Sequence, residues 1–205
     1  KLFIKDKEGY AKTLSLYGEN ITELNYIEEE INLCISGSIV DSNASKELKR
    51  IRKQISICEE RIKDKLEKFI KNQNTTEYLQ ENFISQRNGR YTVPIKSSYK
   101  NHVQGTIVET SSKGNTIFIE PSVIGKYTTE LNSLKADESI EEYKILSTIN
   151  EMIYERSKEL KVNIEVIAEY DMILAKAKYS KEINGIAPAI NNYGYINIKD
   201  AKYQL

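Results

Sequence analysis

The feature that most constrains the fold of this chain is a long helical pattern without breakers. No glycine or proline occurs between residues 126 and 184. Apolar residues recur there at helical spacing, first over residues 124–134 and again over residues 146–167. About sixty residues in one unbroken helix would span roughly 90 Å. A helix of that length exceeds the needs of a globular core and is typical of a lever arm or a coiled-coil spacer.

A second long helix is predicted before it, over residues 46–72, after a cluster of N-cap residues at 41–45. Its apolar positions follow the 3, 4, 3, 4 spacing of a coiled-coil seam. These positions are Leu48, Ile51, Ile55, Cys58 and Ile62. Residues 46–71 hold ten Lys or Arg and five Asp or Glu, so the other faces are expected to lie in solvent. The narrow seam needs a partner, and we predict antiparallel packing against the stripe at 146–167.

Between the long helices the pattern changes to that of β-strands. Tyr91, Val93 and Ile95 alternate with Thr92, Pro94 and Lys96, and the proline favours a strand at a sheet edge. Two more strands are predicted at 105–110 and 116–120, paired through a turn at 111–115. In that turn Gly114 suits a positive φ, and we expect Ser111, Ser112 and Lys113 to face outward.

The predicted fold class is therefore mainly α, with long antiparallel lever helices and a small antiparallel β clamp-like insertion at the tip. A further helix is predicted at 20–36, ended by Gly37, and a strand is predicted at Tyr193–Ile198. Because the chain begins with Lys1, we expect it to be excised from a longer protein. The predicted divisions are 1–45 (helical core), 46–85 (ascending lever helix), 86–121 (β clamp-like insertion), 122–186 (descending lever and core helices) and 187–205 (start of the next domain).

Candidates for catalysis are few. The sequence shows no Ser/His/Asp arrangement, phosphate-binding glycine loop or metal-ligand motif, and its one histidine, His102, is expected in a surface loop. Glu120 is interpreted as a carboxylate at a helix N-terminus, and Glu141 with Glu142 as a solvated acidic face. The two cysteines, Cys34 and Cys58, are expected to be buried free thiols. We predict no catalytic, metal or cofactor residue, and neither a membrane span nor a signal peptide is visible.

The distribution of charge indicates a binding function. The formal net charge is zero, yet residues 85–115 carry five basic residues against the single acid Glu109. The predicted nucleic-acid-binding residues are Arg87, Arg90, Lys96, Lys100 and Lys113. With Tyr91 and Tyr99 between them, such residues suit contact with a phosphate backbone. The alternative is an ordinary solvated sheet surface.

Four motifs stand together in an order that resembles a known family. They are "SIVDSNASKELKRIR" (38–52), "QRNGRYTVPIKSSYK" (86–100), "GTIVETSSKGNTIFIEPSVI" (105–124) and "AEYDMILAKAKYS" (168–180). This series is similar to the MutS-two family, the second, anti-recombination branch of bacterial MutS-like proteins. The resemblance covers nearly the whole chain, most securely residues 38–182. One departure lies at 202–205, where the family pattern leads us to expect an Arg-His-Pro-like run and the chain reads KYQL.

The resemblance implies a cytoplasmic, ATP-driven homodimer whose paired levers embrace branched DNA or, in some members, the rRNA-containing surface of a collided ribosome. ATP and Mg²⁺ would belong to an ATPase domain beginning near Tyr193, and a nuclease domain would follow it. No catalytic residue of the family maps onto these positions. The expected function is that of a non-catalytic core and lever segment that helps to clamp the substrate and transmits ATP-driven motion. The alternative is a purely structural coiled-coil spacer or dimerisation arm.

Overall fold

The computed structural model describes Asp6, Gly9 and residues 12–198, and these are mainly helical with two small antiparallel sheets. One unit is Leu24–Glu155, and the other combines described residues from before and after it. The helices are α1 (Lys12–Glu19), α2 (Asn25–Cys34), α3 (Lys46–Lys71), α4 (Gln73–Thr76), α5 (Gly125–Glu155) and α6 (Ser157–Glu182). The strands are β1 (Ile35–Ser36), β2 (Ile39–Val40), β3 (Ser85–Arg87), β4 (Arg90–Lys96), β5 (Gly105–Thr110) and β6 (Thr116–Pro121).

Helix α3 forms where the sequence predicts it. The Leu48 amide donates to the Ser45 hydroxyl oxygen at 2.9 Å, so Ser45 is the N-cap. Four of the five predicted seam residues are buried, Ile55 is half-buried, and the buried stripe continues through Leu66 and Ile70. One core joins this helix to the sheet and to the start of α5. Its members include Ile62, Leu66, Val93, Ile95, Ile119, Ile124 and Leu131.

The partner predicted for the α3 seam is wrong. Helix α3 packs against the first half of α5, as shown by a bond of 2.8 Å from the Ser45 hydroxyl to Glu141 and one of 3.4 Å from the Cys58 thiol to the Tyr127 carbonyl. The stripe at 146–167 is not the partner, and its Ile164 is well exposed. The chain leaves the end of α3, forms the sheet and returns directly into α5. Because the sheet packs on the end of α3, the chain that leaves this sheet starts α5 opposite the end of α3.

Acidic residues of the stretch 137–142, where the apolar pattern of α5 is interrupted, form a polar contact between α3 and α5 that we call the joint. Arg52 on α3 places Nε 2.7 Å from Glu138 and Nη2 2.5 Å from Glu142. Its Nη1 donates to the carbonyl of Val40 at 2.8 Å and to the hydroxyl of Ser42 at 2.9 Å. The bond to Glu138 raises the pKa of Arg52 most, with a smaller contribution from Glu142. The interpretation of Glu141 and Glu142 as a solvated acidic face is therefore wrong, because both are half-buried and accept hydrogen bonds, from Ser45 and Arg52 respectively.

The larger sheet has the order β3-β4-β6-β5, with every pair antiparallel. The predicted pairing of 105–110 with 116–120 is confirmed, with Thr106 opposite Glu120. Strand β3 was not predicted. It forms a two-residue hairpin with β4 through Asn88 and Gly89, whose φ values are 50° and 75°. An Asn-Gly pair between two strands is the strongest short-range hairpin signal in a sequence, because its turn requires positive φ at both residues. The sequence carries this pair at Asn88 and Gly89.

Pro94 lies on an interior strand, so its predicted place at a sheet edge is wrong. Strand β4 pairs with β6 on one side and with β3 on the other. The pairing with β3 ends at Thr92 of β4, two residues before Pro94. The carbonyl of Pro94 accepts from Gln80 N at 3.0 Å, on the side away from β6. In an antiparallel ladder the amide and carbonyl of one residue face the same side. The missing N–H of Pro94 therefore faces the region beyond the end of β3, where the ladder does not need it.

The long helical pattern is divided at Arg156. Its backbone, at φ −108° and ψ 18°, leaves the helical conformation, so the pattern forms two helices and not one unbroken helix. Helix α5 buries residues such as Leu131 and Ile149 in one unit, and α6 buries Val166 in the other. The absence of glycine and proline permits a long helix but does not enforce one.

Two terminal predictions also change. Helix α2 is shorter than the predicted 20–36, because β1 and β2 form a hairpin around Gly37, whose φ is 63°. Helix α6 ends at Glu182, within the predicted division 122–186. Residues 193–198 form no strand, and no strand among the described residues lies beside them to complete their hydrogen bonds. The departure at 202–205 lies outside the described residues.

Gly105 is expected to be required by its surroundings. A Cβ at this position would lie 2.2 Å from the carbonyl oxygen of Glu120 and 2.7 Å from Ile119 Cγ2. Gly105→Ala should therefore lower the free energy of unfolding by about 1–3 kcal/mol, because backbone cannot rotate out of the way. Urea unfolding followed by circular dichroism measures this loss. Gly125→Ala is the control, since a Cβ there meets nothing within 4 Å. Equal midpoints for the two variants would contradict the close approach of β5 to β6.

Candidate nucleic-acid interface

The five predicted basic residues do not form one patch. Arg87 and Arg90 flank the β3–β4 turn, and we call this pair the arginine end. Lys96 closes the other end of β4, about 20 Å away at the usual rise per strand residue. Lys100 follows the 3-10 turn Ser97–Tyr99 and Lys113 lies in the β5–β6 turn, and with Lys96 they form the lysine end. The sheet thus separates the predicted site into two clusters.

The arginine end is neutralised by acids of the same sheet. Arg87 Nε lies 3.5 Å from Glu109, and its guanidinium sits 4.4 Å from the centroid of the Phe118 ring. Arg90 Nη1 lies 3.3 Å from Glu120, whose side chain is only 8% exposed. Glu120 is therefore a buried counter-ion at the end of β6, and its interpretation as a helix N-terminal carboxylate is wrong. Because two positive and two negative groups cancel, this end gives little net attraction for phosphate.

The lysine end keeps a net positive charge, because its three lysines lie with one carboxylate, that of Glu77, which accepts a hydrogen bond from Tyr99. None of its three lysines forms an ion pair among the described residues, although Lys96 Nζ donates to the backbone carbonyl of Glu77 at 2.9 Å. Lys100 and Lys113 are exposed. The Ser97 amide donates to the Asn115 carbonyl at 3.0 Å, which joins the segment after β4 to the β5–β6 turn. The segments that carry the three cations are therefore neighbours.

The β5–β6 turn is built partly as predicted. Gly114 has a φ of 72°, as expected, and its amide donates to the Ser111 carbonyl at 2.8 Å. Ser112 and Lys113 are exposed. The Ser111 hydroxyl oxygen instead accepts from the Thr116 amide at 3.1 Å, so its prediction as a free outward group is wrong. This serine closes the turn and leaves Ser112 and Lys113 as the side chains available to a ligand.

The two tyrosines predicted near these charges differ in their exposure. Tyr91 is buried in the core and is not a surface ring, contrary to the prediction. Tyr99 is half-buried and donates its hydroxyl proton to Glu77 at 2.8 Å, a bond that raises the pKa of Tyr99. Its ring contacts His102, which is exposed in a surface loop as predicted, and Tyr78. Sequence reasoning missed Tyr78, because no local pattern links this residue to a turn twenty positions later.

Other chemistry at the described residues is sparse. Cys34 and Cys58 are free and buried, as predicted, and burial is the main cause that raises the pKa of both thiols. Within the described ranges, no group of three or more His, Cys, Asp or Glu side chains could hold a metal ion. None of the helices in that part of the chain is long and apolar enough to cross a membrane.

Comparison with known proteins gives the family. No protein-family model matches the chain. It is 38% identical over 208 residues to an endonuclease MutS2 from Alkaliphilus oremlandii, covering 100% of this chain and 26% of that protein. It is 41% identical over 189 residues to the Halothermothrix orenii endonuclease MutS2, covering 91% of the chain and 24% of the relative. A putative endonuclease MutS2 of Bacillus subtilis is 33% identical over 191 residues, covering 92% and 24%.

These matches span the same motifs that carry the sequence resemblance. The chain spans about a quarter of the length of the curated relatives it matches, 26% of the first and 24% of the second. The alignments extend over the helices and the sheet together, since they cover 91% of the chain or more. The chain therefore belongs to the MutS2 family, as a segment about a quarter of the length of its relatives.

Proposed function

We propose that this chain is a non-catalytic segment of a MutS2 protein that contacts nucleic acid through the lysine end of its sheet. The observation that carries the proposal is the asymmetry of the sheet: three lysines that form no ion pair with any described residue lie at one end, and two arginines neutralised by glutamates lie at the other. The relatives are named endonucleases, a class of enzyme that acts on nucleic acid. Contacts made by exposed lysines go mostly to phosphates and are independent of base sequence.

The packing of the sheet supports a mechanical role for the helices. One continuous core contains Ile62 of α3, Ile95 and Ile119 of the sheet, and Leu131 of α5. A force applied at the sheet would therefore pass directly into both helices, because close-packed interiors transmit strain. We propose that these helices transmit ATP-driven motion from an ATPase domain that binds ATP and Mg²⁺. The proposed partners are branched DNA or the rRNA of a collided ribosome, held by a homodimer.

The second candidate function is a structural spacer or dimerisation arm without direct contact with nucleic acid. The neutralised arginine end favours it, because two of the five predicted phosphate ligands already have acidic partners in the sheet. The two functions differ in whether the lysine end binds phosphate, so one set of variants separates them.

Changing Lys96, Lys100 and Lys113 together to Glu should weaken binding of a branched DNA junction and of ribosomal RNA at least tenfold. A plot of log affinity against log salt concentration has a negative slope, and each lost phosphate contact should reduce the magnitude of this slope by about 1. Fluorescence anisotropy titrations of the chain at two salt concentrations measure both quantities. Folding should change little, because substitutions of exposed charges usually alter stability by no more than about 0.5 kcal/mol.

The matched control carries Lys53→Glu, Lys65→Glu and Lys68→Glu. It makes the same change in net charge on exposed positions of α3. If the control keeps its affinity and the lysine-end variant loses it, the contact is local to the sheet. Equal affinity and an equal salt slope for the lysine-end variant and the unchanged chain would reject nucleic-acid contact here and favour the spacer.

A further inference from the structure

We infer that the lysine end is also a stacking platform for an unpaired base, formed by the contacting rings of His102, Tyr99 and Tyr78. The inference rests on the proposed function and narrows its ligand to nucleic acid that presents single-stranded nucleotides. Three rings in mutual contact lie beside the only cluster of predicted basic residues that keeps its charge. Aromatic side chains next to lysines are the usual means of binding single strands without sequence preference.

The three rings form one connected cluster. The ring centroids are 5.1 Å apart for Tyr78 and Tyr99, 5.5 Å for Tyr78 and His102, and 5.4 Å for Tyr99 and His102. The Tyr99 and His102 rings meet edge to face, at an interplanar angle of 68°. These separations lie in the range where aromatic pairs attract one another.

The two tyrosines are held in place by the core. Both are half-buried and pack against it. The carbonyl of Tyr78 accepts from the Lys96 amide at 2.9 Å, beside the bridge between Leu79 and Ile95. The hydroxyl of Tyr99 is bonded to Glu77. A platform anchored in this way loses little conformational entropy when a base stacks on it.

His102 is the open member of the cluster. Its amide donates to the Tyr99 carbonyl at 2.9 Å, and the next residue, Val103, is buried in the core. The backbone is thus fixed on both sides of a side chain that is exposed. In a duplex each base face is covered by its neighbours, whereas an unpaired base can stack on a protein ring. The exposed imidazole therefore selects for unpaired nucleotides.

The charges around the rings suit the phosphates on either side of such a base. Lys96 Nζ lies 6.0 Å from the centroid of the Tyr99 ring. Lys100 follows Tyr99 in the chain and is exposed. Lys113 lies in the turn that is joined to the same segment through Ser97 and Asn115. Stacking and phosphate contact would thus occur on one surface, which is the combination that single-strand binding requires.

The test compares His102→Ala with His102→Phe in the chain. The probes are a 20-nucleotide single strand, made as DNA and as RNA, and a blunt duplex of the same sequence. His102→Ala should weaken single-strand binding about five- to fiftyfold, in line with the loss of one base–aromatic contact. Duplex binding should change less than about twofold, and His102→Phe should bind the single strand as the unchanged chain does.

Each other outcome counts against the inference. Equal losses on single strand and duplex, or a failure of His102→Phe to restore binding, would show that the ring face does not act. Unchanged single-strand binding by His102→Ala, with a loss in the lysine-end variant, would overturn the inference and leave the proposed function standing. No binding of any probe by the unchanged chain would overturn both. The DNA and RNA arms show which nucleic acid supplies the unpaired base.

Discussion

Ile62→Asp is expected to unfold the unit Leu24–Glu155. Ile62 is fully buried on α3, in the core that this helix shares with the sheet and α5. The substitution removes an apolar side chain and places a carboxylate out of contact with water, in a cluster of buried apolar residues. We expect a loss of about 5 kcal/mol, comparable with the whole stability of a small domain. Thermal melting followed by circular dichroism should show no cooperative transition.

Two variants on the same helix calibrate this result. Ile57→Asp makes the same chemical change at a side chain that is 38% exposed, and should cost about 1 kcal/mol or less. Ile55→Asp, at a half-buried seam position, should fall between the two. If Ile62→Asp melted at the same temperature as Ile57→Asp, the α3 seam would not lie in the core.

Arg52→Met should lower the free energy of unfolding by about 3 kcal/mol. The guanidinium binds Glu138 and Glu142 of α5 and also the Val40 carbonyl. Methionine keeps much of the apolar stem, so the main loss is the charge and its hydrogen bonds. Two half-buried glutamates one helical turn apart would then repel each other without a counter-ion. Urea unfolding with circular dichroism measures the change.

The control for Arg52 is Arg50→Met. Arg50 pairs with Glu47 on the solvent side of α3, and both side chains are about half exposed, at 57% and 49%. Exposed pairs of this kind contribute little, so the control should lose less than about 1 kcal/mol. A double-mutant cycle of Arg52→Met with Glu138→Gln should give a coupling of about 1–3 kcal/mol. Additive losses would mean that Arg52 does not stabilise the joint through Glu138.

Much of the local structure follows from the sequence alone. The bounds of α3, the Ser45 cap, the pairing of β5 with β6 and the positive φ of Gly114 are all confirmed. Each of these features depends on residues within a few positions of one another. The Ser45 hydroxyl, for example, caps the helix by accepting from the amide of Leu48, three residues later. Hydrophobic spacing identified the buried seam of α3 for the same reason. Four motifs were enough to indicate the family, which the comparisons confirm.

The candidate site was predicted in its residues but not in its arrangement. Charge counting along the sequence identified five basic side chains in one segment. The sheet places two of them, Arg87 and Arg90, beside the carboxylates of Glu109 and Glu120. Glu120 lies near Arg90 only because β4 and β6 are adjacent strands. Likewise, Tyr78 reaches Tyr99 and His102 because the segment around Leu79 bridges to Ile95. A count of charges along the chain contains no information on these neighbours.

The partner of each surface was decided by the tertiary structure. The α3 seam could pack equally well, by spacing, against residues 124–134 or 146–167, and the direct return of the chain through the sheet selected the first. The same choice of register turned Glu138 and Glu142 into partners of Arg52. In the sheet, the pairing of β3 with β4 ends at Thr92 and leaves Pro94 beyond it, where an interior strand tolerates a proline. Local patterns fix which side chains need burial or a counter-ion, while chain connectivity and close packing fix which distant residues supply it.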